Sequence, residues 1–196
     1  DISHMPAEFV VDYGYATPWI YDHVQRRYRT PTAEDQVEMI RLGNALPCVK
    51  AVNAPLICGE FDPRIETIES SRLLLLNTDK PGWVGTSSAA EVKYLAELAR
   101  LAVGNNHQLL RTEPPIFVAA YCTTSPLKID SRSCEVLEEA LKHGFPVNFA
   151  PMPILGATAP VTPAGAAIVA AAEILGSITA ASLVNPDVYY FSTSIA

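Results

Sequence analysis

Apolar residues fall along this chain in two alternating patterns: short runs with little polar interruption, and longer stretches in which they recur every three or four residues. The longer stretches predict helices over 32–46, 63–77, 88–103, 131–143 and 162–184. In the first, Met39, Leu42 and Leu46 share one stripe; in the third, Val92, Leu95, Ala99 and Ala102 do so with charged residues between them. Start signals agree with these spans. Ser88 with Glu91 reads as a capping box, Thr32 with Asp35 as a weaker one, Asp130 caps the fourth helix, and Thr162 precedes a proline at the first helical position. Gly104, Gly144 and Asn185-Pro186 supply stops. The short runs predict strands over 48–53 (CVKAVN), 82–85 (GWVG), 116–122 (IFVAAYC), 146–150 (PVNFA) and 187–192 (DVYYFS).

Short strands that are apolar on both faces and alternate with helices indicate a parallel sheet covered by helices, an α/β fold. About five parallel strands with four intervening helices fit part of a (β/α)8 TIM barrel or a small open doubly wound sheet. The last residues, Ser194-Ile195-Ala196, follow a strand directly, which favours a barrel cut partway through its repeat. Such a segment exposes sheet edges and an apolar helix face, so a homo-oligomer is expected.

Composition narrows the function classes. The 196 residues are 49% hydrophobic and 18% charged with a net charge of −7, which excludes disorder and leaves no basic face for nucleic acid. Residues 1–5 (DISHM) read as an expression scar ahead of a domain over 6–196, with no signal peptide after them. The Ala-rich run 164–184 is long enough to cross a bilayer, but Glu173 interrupts it and no aromatic belt or flanking Lys/Arg frames it. It reads as the buried helix of a soluble protein, with no membrane partner. Cys48, Cys58, Cys122 and Cys134 lack metal or disulfide spacing and read as free thiols, small apolar fillers, of a reducing cytoplasm. No His pair stands at helical metal spacing, so no metal is expected.

Phosphate-binding glycine loops and a nucleophile elbow are both missing. The segment with chemical promise is PMPILGATAPVTPAG, residues 151–165, joining a buried strand to the longest helix. Its prolines stiffen the connection, Gly156 permits close backbone approach, and its position at the carboxyl end of a parallel strand is where such folds bind ligands. The first amides of the helix near Thr162 are free to receive a carboxylate or phosphate. A rigid turn that only packs the sheet is the alternative reading of the same residues.

The run PMPILGATAPVTPAGAAIVAAAEILGSITAASLVNPD resembles the strand-loop-helix signature of the trimethylamine methyltransferase family, corrinoid-dependent enzymes acting on trimethylamine or quaternary amines such as glycine betaine. Thr32-Ala33-Glu34-Asp35 with Asn44-Ala45-Leu46-Pro47, then Asn77-Thr78-Asp79-Lys80-Pro81, then Tyr121-Cys122-Thr123-Thr124-Ser125-Pro126-Leu127 are similar in order and spacing. The resemblance implies a (β/α)8 barrel more than twice this length and methyl transfer to the cobalt of a corrinoid (cobalamin) held by a partner corrinoid protein. The position that carries pyrrolysine in some members lies beyond Ala196. With a small methylated amine as substrate, Trp83 and Tyr121 become candidates for an aromatic wall around the ammonium, and Asn53 and Thr123 for hydrogen bonds to a substrate carboxylate. Met152, Gly156 and Thr158 are carried over from the signature loop. No side chain is assigned as acid or base. Two other readings remain: an inactive barrel fragment limited to assembly or weak ligand binding, and a methyltetrahydrofolate-type corrinoid methyltransferase. The latter calls for strand-end Asp and Asn residues, of which only Asn53 and Asn148 are seen.

Overall fold

The computed structural model describes residues 11–12, 17–86, 88–120, 123–187 and 189–192. Residues 1–5, expected to be an expression scar, and the Tyr121-Cys122 pair lie outside them. The chain divides into two compact units, residues 1–82 and 83–196.

In the first unit, β1 (Val11–Asp12) pairs in parallel with β4 (Val49–Ala51). Between them in sequence lies a hairpin of β2 (Ile20–Asp22) and β3 (Arg27–Arg29), followed by helix α1 (Ala33–Ala45). The hairpin turn is closed by Asp22, whose carboxylate accepts from the Val24 and Gln25 amides at 2.9 and 2.8 Å and from Arg29 Nε at 3.1 Å. The same Arg29 grips both oxygens of Asp35, at 2.6 and 2.8 Å. Asp35 is also half of a reciprocal capping box with Thr32, so hairpin and helix start share one guanidinium. That guanidinium holds the Asp35 carboxyl well below the usual carboxylate range.

Helix α1 buries Gln36, Ile40 and Gly43, not the expected stripe: Leu42 and Leu46 are exposed. The stripe is displaced because Gln36 turns inward and its Oε1 accepts from the Leu56 amide at 2.9 Å. Helix α2 (Glu66–Asn77) packs on α1. The two carboxyl termini are tied together: Thr78 Oγ1 donates to Asn44 Oδ1 at 2.8 Å, Arg41 Nε to Asn77 Oδ1 at 3.0 Å, and Lys80 Nζ to the carbonyls of Gly43 and Leu46 at 2.9 and 2.7 Å. An ammonium on the last carbonyls of a helix offsets the negative end of its dipole.

The second unit runs β5 (Gly82–Gly85), α3 (Ala89–Ala102), α4 (His107–Thr112), β6 (Ile116–Ala120), β7 (Thr123–Thr124), β8 (Lys128–Ile129), α5 (Ser131–Lys142), β9 (Val147–Phe149), α6 (Pro163–Val184) and β10 (Tyr190–Ser192). Its sheet has the order β10-β9-β6-β5. Strand β9 is parallel to both neighbours, with Val147 opposite Val118 and Tyr190, and all three of its residues are buried. Helix α3 covers its part of the core with Val92, Leu95 and Ala99; α5 does so with Val136, Leu137, Ala140 and Leu141. The caps at Asp130 and Thr162 form as expected. Ser88 caps the Ala90 amide, but Glu91 does not complete a box because its carboxylate takes the Thr86 hydroxyl instead.

Among the described residues no closed barrel forms, and the expected fragment of a (β/α)8 TIM barrel is corrected to an α/β fold without barrel closure. A barrel needs one uninterrupted ladder of tilted strands. Here β4 pairs with β1 in a two-stranded sheet of its own, and β5 belongs to the other sheet. Past Ala51 the chain offers residues 81–82 a backbone hydrogen bond from Val52 N to Pro81 O at 2.9 Å rather than a ladder. Gly82 fits there because a Cβ would fall on the Val52 carbonyl oxygen and within 2.6 Å of Leu74 Cδ2.

Candidate functional site

Parallel strands present their carboxyl ends along one edge, and in the second unit this edge carries the connections that follow β6 and β9. The β9 connection is built locally. Thr162 caps α6 by accepting from Gly165 N at 3.2 Å and Pro163 has no N–H, so of the first-turn amides expected to be free for an anion that of Gly165 is already used. Upstream, the Ile154 carbonyl accepts from the amides of Ala157, Thr158 and Ala159 at 3.1, 2.9 and 3.0 Å. Gly156 supplies the left-handed corner at φ +75°, a conformation that strains other residues. Thr158 Oγ1 closes the turn by accepting from Ile154 N at 2.8 Å. This rigid turn carries Met152, Ile154, Leu155 and Val161 outward, each at least 44% exposed.

The β6 connection is held differently. Glu173, 3% exposed on α6, accepts from Ser125 Oγ at 2.8 Å and from the Leu127 amide at 2.9 Å. It thereby pins the segment between β7 and β8 to the helix that follows β9. The one acid in an apolar 22-residue helix was the available signal for this clamp, since a buried carboxylate requires partners. At the β10 end, Ser192 Oγ donates to the Phe149 carbonyl at 2.8 Å.

The expected site residues are distributed as follows. Thr123 lies half-buried in β7, opposite Ile129, and Met152, Gly156 and Thr158 lie in the β9 turn. Trp83 is buried in β5, two residues before its end, and Asn53 is buried in the first unit just past β4. Tyr121 falls outside the described residues. Thus Met152, Gly156 and Thr158 share one loop, with Thr123 beginning the neighbouring connection.

A cavity of about 860 Å³, not foreseen from the sequence, lies at the opposite edge of the sheet and is lined by His107, Lys142, His143, Asp187 and Tyr189 among others. Two of its lining side chains are engaged by α5: Lys142 Nζ lies 2.8 Å from Glu138, which raises the lysine pKa, and His143 Nε2 lies 3.3 Å from Glu139. Among the described residues no three His, Cys, Asp or Glu side chains converge as a metal site. Cys58 is buried, and burial pushes its thiol pKa up to about 12, which fits a filler; Cys134 is half-buried, whereas Cys48 is exposed.

Comparison with known proteins adds the following. The model of the trimethylamine methyltransferase (MTTB) family matches residues 5–192. The trimethylamine methyltransferase MttB of Desulfitobacterium hafniense (strain DSM 10664 / DCB-2) is 30% identical over 179 residues, 90% of this chain and 36% of that protein. The MttB of Methanosarcina barkeri (strain Fusaro / DSM 804) is 32% identical over 105 residues, 53% of this chain and 21% of that protein. A glycine betaine methyltransferase of Desulfitobacterium hafniense (strain Y51) is 26% identical over 187 residues, 92% of this chain and 38% of its own length. The chain therefore spans little more than a third of the relatives it matches along most of its length.

Proposed function

The chain belongs to the trimethylamine methyltransferase family, and from that premise we propose that it takes part in transferring a methyl group from a tertiary or quaternary methylamine to a corrinoid held by a separate protein. The observation that carries this reading is the family match over residues 5–192, which includes the loop at the carboxyl edge. Trimethylamine is the first substrate to test, with glycine betaine second, following the names of the relatives at 30% and 26% identity.

Cobalt(I) in the corrinoid supplies the nucleophile, which leaves the polypeptide to hold the amine and direct its methyl group. A cationic amine needs aromatic faces, each contributing roughly 0.5–2 kcal/mol. Trp83 and Tyr121 are proposed for that role, with Asn53 and Thr123 for a substrate carboxylate. Met152 projects from the β9 turn toward whatever approaches the edge, while Gly156 and Thr158 keep that turn in shape. A reducing cytoplasm is proposed as the location from the cysteine spacing along the sequence.

Incubating the chain with cob(I)alamin and either amine, and following the cob(I)alamin absorbance alongside calorimetric binding, tests the proposal. Binding with methyl transfer is expected, and Tyr121→Ala is expected to weaken amine binding several-fold. Binding without transfer would favour the fragment reading, and neither binding nor transfer would overturn the assignment for this chain.

A further inference from the structure

The hairpin of β7 and β8 brings no buried side chain to the core. None of its residues from Thr123 to Ile129 is buried, and Leu127 and Ile129 stand 62% and 57% exposed. Its own ladder is short, pairing Thr123 with Ile129 and Thr124 with Lys128. Its tip is nonetheless bonded to the buried Glu173 of α6, through the Ser125 hydroxyl and the Leu127 amide. Taking a carboxylate out of water is unfavourable, and a hairpin without buried apolar surface offers little hydrophobic gain against it. Beyond what it adds to stability, the clamp therefore fixes where the hairpin lies.

We propose that Glu173 is a positioning residue for the site at the carboxyl edge: it sets the β6 connection, and with it the Thr123 hydroxyl, at a fixed place against the β9 connection. This rests on the amine methyl-transfer reading above, in which Thr123 meets a substrate carboxylate. Helix α6 is common to both connections. Its start continues the β9 turn through the Thr162 cap, and Glu173 stands about three turns further along the same helix. Thr123 precedes Ser125 by two residues and its partner Ile129 follows Leu127 by two, so a fixed tip fixes Thr123. The consequence is selective. Glycine betaine has a carboxylate for Thr123 to meet, and trimethylamine has none. Loosening the hairpin changes the preference between the two amines, whereas a loss of fold lowers the binding of both alike.

The test is calorimetric titration of the chain and its Glu173 variants with glycine betaine and trimethylamine, beside the methyl resonance of Thr123. Glu173→Ala should weaken glycine betaine about tenfold more than trimethylamine and move the Thr123 signal. Glu173→Gln should recover most of both effects, because its carbonyl still accepts from the Leu127 amide and the Ser125 hydroxyl can turn to accept from its NH2 group. Ser125→Ala removes one of the two bonds, should shift the preference in the same direction, and stands in if Glu173→Ala does not fold. Equal weakening of both amines, an unmoved Thr123 resonance, or a wild-type chain that binds trimethylamine alone would each overturn the proposal. A wild-type chain that binds neither amine would instead overturn the amine reading, and the Thr123 signal would still decide whether Glu173 holds the hairpin in place.

Discussion

Helix α5 turns Val136, Leu137, Ala140 and Leu141 inward and sets Glu138 and Lys142 outward as an ion pair, whereas α6 turns Glu173 and Ser177 inward and sets Ile168, Leu175 and Leu183 outward. Both helices pack on β9. For α5, attachment comes from removing apolar surface from water. For α6 it comes from a stripe of small residues that lets the helix lie close and from one carboxylate clamped to the β6 connection. Helices attached so differently should respond differently to the same insult.

Truncation of the packed leucine in α5 should have the largest effect. Leu141→Ala removes a fully buried side chain and should cost about 2–5 kcal/mol in denaturant unfolding, while Leu175→Ala on α6 should stay within about 0.5 kcal/mol when measured below the concentration of any self-association. Equal losses would mean that α6 is packed by its apolar face after all. Next comes the clamp. Glu173→Ala strands the Leu127 amide and the Ser125 hydroxyl and should cost about 1–3 kcal/mol, with Glu173→Gln recovering part of it in the same assay. The smallest effect separates the caps by pH. Asp130 starts α5 by accepting from the Ser133 amide, chiefly that backbone bond holds its pKa below the usual value, and its contribution is present above the unfolded carboxylate pKa. It is lost as pH falls through the lowered folded value. Thr162 starts α6 with a hydroxyl that does not titrate, so the Ser133 amide resonance should move in acid while that of Gly165 stays fixed.

The same contrast explains how far the sequence can be read. Helices α1, α2, α3, α5 and α6 appear within a few residues of their expected spans because caps and breakers are local chemistry, as at Thr32, Asp130 and Gly144 (φ +73°). The exposed face of α6 was not legible, since a helix apolar on every side has no period to announce which side is packed. Only Glu173 carried that information. Helix α4 is six residues long and too short for a pattern, and the β2–β3 hairpin is closed by Asp22 and Arg29 rather than by an apolar alternation. The sheet arrangement depends on which strands pair across long sequence separations, as β1 does with β4, and no local signal records that choice. At the candidate site, the β9 turn was found through Gly156 and its prolines. The clamp from Glu173 to Ser125 spans 48 residues and required the fold.

The guanidinium of Arg29 joins Asp22 in the hairpin turn to Asp35 in the first turn of α1. Neither end can fray alone without abandoning a shared partner, so the segment from the turn to the helix start behaves as a single breathing unit. Its amide protons, from Val24 and Gln25 through Thr32 and Asp35, should exchange with solvent at a common rate, although they belong to different elements.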